Sequence, residues 1–360
     1  MNTPADTLDS ILEAAQAYDA SDLLLHEGRV PQMRQSGRLI PLELPALESA
    51  LFDELWKRCK APPDSLDFDS RTESLSGIRF RVNLMRQMGN RGAVLRRIRA
   101  DIPELGSLGL PAALLIEWAS RSSGLILVTG ATGSGKSTTL ASSIEWMNQN
   151  LDHHIVTIED PIEYLFVSKR SIFTQREVGI DTASFAEGLR RSMRQNPDVI
   201  FVGEIRDAVT AATALQAAET GHLVLATLHA SSAGDSIERL QTLFPADERE
   251  AALRTLSQQL IGILCQKLLP AANGGLALAV EYFSNQGASR RLIAGAKIAE
   301  VSDFIARADS RFSRNFVDSL TDLVKAGIIS EEEALLHAEN PAELTRTLRG
   351  VSSSSQTTRR

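Results

Sequence analysis

Cysteine is almost missing from this chain: 360 residues carry two, Cys59 and Cys265, far apart and without a Cys-x-x-Cys. No disulfide framework and no thiolate zinc site can be built from such a pair. A basic excess is missing too. Thirty-eight Lys and Arg stand against 45 Asp and Glu, for a net charge of −7 and a pI near 5.5, which argues against broad nucleic-acid binding. Nowhere do 18 apolar residues run together, so a transmembrane segment is not expected. Met1–Ile11 is polar and carries Asp6 and Asp9, unlike a signal peptide. There is no internal repeat. What remains is an ordinary composition, 43% hydrophobic and 23% charged, over a length that suggests about two domains. A soluble protein of a reducing compartment is expected.

The two parts differ in rhythm. Residues 1–100 alternate helix-like stretches (Leu8–Tyr18, Leu47–Cys59) with strand-like ones (Asp22–His26, Gly77–Leu84, Gly92–Ile98), around a run punctuated by Gly28, Pro31, Gly37, Pro41 and Pro45. Without a β-α-β rhythm, this suits a small α+β domain. Residues 101–111, with two prolines and two glycines, look like a linker. Residues 112–283 then carry short, near-continuous apolar runs at Gly124–Thr129, Ile155–Ile158, Val199–Val202 and His222–Leu228. Helix-like segments intervene at Lys136–Asn148, Phe185–Arg194 and Ala208–Glu219. That is the pattern of an open α/β domain with a mostly parallel sheet. Residues 284–348 read as a charged helical region, and 349–360 as a tail too polar to pack.

The strongest chemical signal is the run Gly130, Ala131, Thr132, Gly133, Ser134, Gly135, Lys136, Ser137, followed by Thr138. It matches G-x-x-x-x-G-K-[ST] between an apolar strand and a helix, the context a phosphate-binding loop needs. Its glycines let backbone N–H groups wrap a phosphate chain. Lys136 is expected on the β- and γ-phosphates, and the Ser137 hydroxyl on Mg²⁺. A second site ends the strand Val199–Val202. Where a standard Walker B carries Asp, this chain has Gly203, leaving Glu204 as the carboxylate at the tip. Glu204 would hold Mg²⁺ through water or polarise the attacking water; the plainer reading pairs it with Arg206.

A third cluster, Glu159, Asp160 and Glu163, follows the strand Ile155–Ile158. Glu163 has the reach of a general base, against the plainer reading of an acidic loop. His222 and His229 bracket one strand. A separation of seven puts them on opposite faces and at opposite ends, roughly 20 Å apart, so they share no site. His229 falls at the ligand end. The first domain offers Arg79, Arg81, Arg86, Arg91, Arg96, Arg97 and Arg99. Arg79 and Arg81 share a strand face, either solvated or presented to a neighbour's nucleotide.

Together these residues resemble the PilT/PilU branch of the type II/type IV secretion ATPases, the superfamily that also holds GspE and PilB, from about Ser21 to Gly350. The landmarks are Arg79-Phe-Arg-Val-Asn83, the phosphate loop, Ile155–Tyr164, Thr174–Gly179, Asn196–Asp207 and Ala218–His229. In that family Gly203–Glu204 in place of a standard Walker B is usual. The resemblance implies a RecA-like P-loop NTPase domain behind a PAS-like N-terminal domain, ATP and Mg²⁺ as ligands, and a cytoplasmic homohexamer peripheral at the inner membrane. It also implies docking on an inner-membrane pilus platform protein, a paralogous retraction ATPase as a further partner, and pilus retraction as the work done. Family roles carry over to Lys136, Ser137, Glu159, Asp160, Glu163, Glu204, His222 and His229, and to Arg81 and Arg96 as inter-subunit arginines. With two cysteines the chain lacks the zinc module of many extension and export relatives. Its Ala288-Ser-Arg-Arg-Leu-Ile293 is a degenerate form of the Ala-Ile-Arg-Asn-Leu-Ile element of PilT, and local features such as Leu95–Ile98 and Ala226–Ala230 look closer to PilU. A motor of a related secretion machine, or a nucleotide-binding regulator with little turnover, remain alternatives.

Overall fold

A computed structural model describes residues 3–35, 38–98, 101–307 and 311–350. The expected tail lies outside them from residue 351 on, as do Arg99 and Gly37. The chain divides into two units, Met1–Asp101 with Pro161–Leu165, and Ile102–Asp160 with Phe166–Arg360.

In the first unit α1 (Pro4–Ala17) starts at a capping box in which Thr3 and Asp6 satisfy each other's backbone N–H groups. It buries Leu8, Ile11, Leu12 and Ala15, one helical face. Strands β1 (Asp22–His26), β2 (Gln32–Gln35) and β3 (Arg38–Pro41) precede α2 (Ser49–Arg58), and β4 (Asp67–Glu73), β5 (Arg79–Gln87) and β6 (Asn90–Arg97) follow it. They make one sheet in the order β3-β2-β1-β6-β5-β4, antiparallel at every pairing. Its inner face buries Leu23, Leu25, Phe80, Val82, Leu84 and Leu95 in one core with both helices. Arg58 clamps α2 to α1 through two bonds to Asp9, 2.6 and 2.8 Å. Strands β2, β3 and β4 escape a reading of the sequence because they are short or polar: β4 buries only Thr72.

The second unit opens with a 3₁₀ turn at Leu105–Ser107 and α3 (Ala112–Ala119). The stretch expected as a linker belongs to this unit from Ile102 on, and Leu105 is buried in its core beside Leu115 and Trp118. Then come β7 (Gly124–Gly130), α4 (Lys136–Asn150), β8 (His154–Glu159), β9 (Ile172–Glu177), α5 (Phe185–Ser192), β10 (Val199–Val202), α6 (Ala208–Glu219) and β11 (Leu223–Leu228). Helices α7 (Ala233–Leu243) and α8 (Arg249–Gln259) lead to the hairpin β12 (Leu260–Pro270) and β13 (Leu276–Ser284). The chain continues through α9 (Ala288–Ala294), α10 (Ile298–Arg307), β14 (Ser313–Arg314), α11 (Phe316–Lys325), α12 (Glu331–His337) and α13 (Pro341–Leu348).

The second sheet runs β14-β13-β12-β7-β11-β10-β8-β9, parallel from β12 to β9 and antiparallel at β13 and β14. It is the mixed, mostly parallel α/β sheet that the apolar runs foretell. Strands β7, β10 and β11 are buried along their whole length, as strands covered on both faces must be. Alternate residues feed two cores: Leu125 and Leu127 of β7 face one, Ile126 and Val128 the other. The helical region after residue 284 is no separate body, since Ile293, Val301, Phe316, Leu320 and Leu344 complete the first of these cores.

Close packing at the start of β12 depends on one missing side chain. A Cβ at Gly262 would lie 2.2 Å from Trp118 Cζ2. Gly262→Ala is therefore expected to destabilise the protein by about 3 kcal/mol, while Gly106→Ala, where a Cβ meets nothing within 4 Å, stays within about 0.5 kcal/mol of wild type. Denaturant midpoints of the two variants check this.

Candidate active site

The carboxyl ends of the parallel strands collect the charged residues, as open α/β sheets do. Strand β7 ends at Gly130, and the loop turns through three left-handed glycines, Gly130 (φ +144°), Gly133 (+81°) and Gly135 (+89°), before α4 begins at Lys136. At Gly130 the requirement is absolute: a Cβ would come within 2.4 Å of Gln266 O and 2.5 Å of Ser134 Oγ. A Cβ at Gly133 would meet nothing within 4 Å, the open space a ligand needs. Lys136 is buried and donates to Gly130 O at 2.9 Å and Ala131 O at 2.8 Å. Its ammonium thus rests on the loop's own carbonyls. Ser134 Oγ is buried without a hydrogen-bond partner, an orphan donor in the loop.

Glu204 lies just past β10. Its Oε2 accepts from Arg206 Nε at 2.8 Å, and its Oε1 lies 3.3 Å from His229 Nε2. Arg206 also reaches Asp160, 3.7 Å away. The plain pairing of Glu204 with Arg206 is therefore present, but within a network that includes His229 and Asp160. Gly203 is tightly packed here, since a Cβ would sit 3.2 Å from Ile158 O. Glu159 ends β8 buried, accepting from Thr157 Oγ1 at 2.6 Å and Gln175 Nε2 at 3.4 Å. Glu163 is exposed, with no hydrogen bond or ion pair among the described residues. His222 precedes β11 and His229 follows it. The His222 ring is held by Ala217 O at 3.0 Å and Thr220 Oγ1 at 3.3 Å.

In the first unit Arg81 of β5 stands opposite Arg96 of β6. Arg96 donates to Asp22 at 2.9 Å, and Arg81 lies 3.9 Å from Asp69. Arg79 pairs with Glu73 at 3.3 Å. These arginines form one charged outer row, the solvated-face arrangement, with carboxylates beside them.

A buried polar row at the root of the phosphate loop escaped the sequence reading. Thr129, Cys265 and Glu281 lie side by side across β7, β12 and β13. Thr129 Oγ1 donates to Cys265 Sγ at 3.1 Å and accepts from Ser236 Oγ of α7 at 3.2 Å. Glu281 Oε1 accepts from Ala233 N, the first residue of α7, at 2.7 Å. Because α7 begins four residues after His229, this row ties the histidine's loop to the strand that ends in the phosphate loop. The signal was a single carboxylate inside the apolar run Leu278–Phe283. Gln266, whose amide donates to Thr139 Oγ1 at 2.8 Å, was likewise unmarked.

The Ser137 hydroxyl at the start of α4 and the Glu204 carboxylate beyond β10 are oxygen donors of the kind that suits Mg²⁺. No group of three or more His, Cys, Asp or Glu side chains among the described residues could hold a metal by itself. A metal here would need oxygens from a bound phosphate to complete its shell.

Known proteins share this chain's sequence family and fold. The family described as Type II/IV secretion system protein matches residues 60–300. The type IV pilus retraction ATPase PilT of Pseudomonas aeruginosa is 38% identical over 340 residues, covering 93% of this chain and 98% of that protein. The type IV pilus ATPase PilU of the same organism is also 38% identical, over 343 residues, 93% of this chain and 90% of that one. A crystal structure of the pilus retraction motor PilT with bound ADP superposes with a TM-score of 0.87 at 42% identity, covering 94% of this chain and 98% of the other.

Burial pushes the Glu281 carboxyl up to about 7; the Ala233 N–H opposes the rise, Glu339 adds to it, Lys267 opposes it and Asp235 adds. The folded state binds this proton more tightly than the unfolded chain, so stability falls as pH rises from about 4.5 to about 7. The loss is about 3 kcal/mol at most. Glu281→Gln should be free of it, so the stability difference between variant and wild type should grow across that window. Denaturant titrations at a series of pH values check this, and parallel curves would contradict it.

Proposed function

We propose that this chain, which belongs to the type II/IV secretion system protein family, is an ATPase that drives type IV pilus retraction. One observation carries the chemistry: a glycine-built phosphate loop closes β7, and Glu204 follows β10, one strand further along the same parallel sheet beyond β11. The likeness to PilT over nearly the whole chain supports the biological role.

Residues Gly130, Ala131, Thr132, Gly133, Ser134 and Gly135 present backbone N–H groups to the phosphates of ATP. Lys136 exchanges the carbonyls of Gly130 and Ala131 for the β- and γ-phosphate oxygens, and Thr138 stands in the first turn behind it. Ser137 would hold Mg²⁺ directly and Glu204 partly through water, and the ion would supply neutralisation of the phosphate charge. Glu204 is also placed to polarise the attacking water once Arg206 releases it, with Glu163 as the second candidate base. Glu159 and Asp160 shape the acidic side of the site, and Asp160 offers Arg206 an alternative partner. His229, 3.3 Å from Glu204, senses the γ-phosphate and passes its loss to α7. His222, at the other end of β11, acts on assembly instead.

The working form proposed is a cytoplasmic homohexamer with a PAS-like first domain (1–100) and a RecA-like domain (112–283) whose core the helical region (284–348) completes. Arg81 and Arg96 would there face a neighbour's nucleotide. Among the described residues no helix is long and apolar enough to cross a membrane. Attachment at the inner membrane would therefore run through the pilus platform protein, with a paralogous retraction ATPase as a further partner.

Glu204→Gln keeps the shape and removes the charge, so it should bind ATP as wild type does and lose about a hundredfold in turnover. His229→Ala should lower kcat by a similar factor without lowering the thermal midpoint. Steady-state ATPase rates, nucleotide titrations and melting curves provide the readouts. In cells lacking the chain, fluorescently labelled pili should extend and fail to retract until the wild-type chain is restored, and Glu204→Gln should not restore retraction. Normal retraction in the deletion strain would overturn the proposed role, and wild-type turnover in Glu204→Gln would remove that residue from catalysis.

A further inference from the structure

We propose a second ligand site at the opposite edge of the second sheet, a pocket that takes a small molecule bearing a carboxylate or phosphate between Arg121 and Arg290. The pocket, about 390 Å³, is lined by Glu117, Trp118, Arg121, Gln258, Gln286 and Arg290 among others. Its size falls in the range of small-molecule sites. It touches Gly124, the first residue of β7, whereas the phosphate loop begins at Gly130, the last. Roughly 20 Å of strand separates them, so the nucleotide of the loop does not reach this pocket.

Close packing and buried hydrogen bonds build the walls. The pairing of β12 with β7 shifts register between Leu260 and Gly262, an irregularity of the kind that re-aims strands beside functional sites. The bare Gly262 lets the Trp118 ring approach β12 closely, and Trp118 Nε1 donates to Ser284 Oγ at 3.2 Å. Asn285 is 2% exposed and its amide donates to Ser257 O and Leu260 O, both at 2.9 Å, while its Oδ1 accepts from Ser289 Oγ at 3.0 Å. These bonds lock the end of α8 and the start of β12 to the segment that carries Gln286 and Arg290.

On this frame the charged groups are exposed to solvent and have no protein partners among the described residues. Glu117, Arg121 and Arg290 make no hydrogen bond or ion pair among the described residues, nor do the side-chain amides of Gln258 and Gln286. Two guanidinium groups against one carboxylate leave the pocket net positive, and guanidinium forks match the geometry of carboxylate and phosphate oxygens. Glu117 and the amides suit hydroxyl or amino groups on the ligand's body, and the Trp118 ring supplies an apolar wall. Part of the positive charge comes from the degenerate element Ala288–Ile293, which contributes Arg290.

The experiment saturates the protein with ADP, which occupies the phosphate loop, and titrates succinate and ribose 5-phosphate by calorimetry. At least one of the two should bind with one site per chain, and which one binds identifies the carboxylate or the phosphate as the recognised group. Arg121→Glu combined with Arg290→Glu should weaken that binding at least tenfold with ADP affinity unchanged. A milder pair, Arg121→Gln with Arg290→Gln, should also weaken it and covers the case in which charge reversal disturbs folding. Absence of binding by both probes at millimolar concentration would overturn the proposal. So would binding that persists unchanged in both double variants.

Discussion

Pairing of β7 with β11 puts Thr129 opposite Leu228, and pairing of β10 with β8 puts Val202 opposite Ile158. Those registers decide where every charged group at the active edge falls. Gly130, Gly203, His229 and Glu159 each stand at or just beyond the last paired residue of its strand, so the phosphate loop, the carboxylate tip, the histidine and the acidic cluster emerge along one edge. A slip of one residue would turn the alternating sets of β7, Leu125 with Leu127 and Ile126 with Val128, into the wrong cores. The apolar packing on both faces of the sheet therefore fixes the catalytic geometry as well as the fold.

Two charged groups at that edge, Lys136 and Glu204, have protein partners. Lys136 lies on two loop carbonyls, and Glu204 is shared between Arg206 and His229. Leaving such groups bare in a buried cleft would cost several kcal/mol each. The resting pairs remove that cost and hold the side chains near the positions they need. Arg206, which bonds Glu204 and also reaches Asp160, is placed to move from one carboxylate to the other. The buried row of Thr129, Cys265 and Glu281 connects the end of β7 to α7, a helix packed into the main core.

Much of this was legible in the sequence. The phosphate loop declared itself through glycine spacing, and the buried parallel strands through unbroken apolar runs such as Leu125–Val128 and Val199–Val202. Bracketing of β11 by His222 and His229 followed from strand periodicity alone. The hairpin β12–β13 went unmarked although it is long and buried, because a run such as Leu260–Leu264 fits a buried helix as well as a strand. Strands β4 and β9 are polar and show little apolar alternation. Glu281 has no motif around it; only its place in the sheet reveals that it caps α7. The helices after residue 284 read as a separate region because their polar faces dominate the composition, while their few apolar residues, Ile293, Phe316 and Leu344 among them, join the main core.

Nucleotide binding by Lys136→Ala tests the account most directly, since the proposed chemistry depends on this ammonium leaving Gly130 O and Ala131 O for the phosphates. Equilibrium titration of ADP and ATP against the folded variant should show affinity reduced at least tenfold, a loss on the scale of one charge-assisted hydrogen bond. Wild-type affinity for both nucleotides would contradict it.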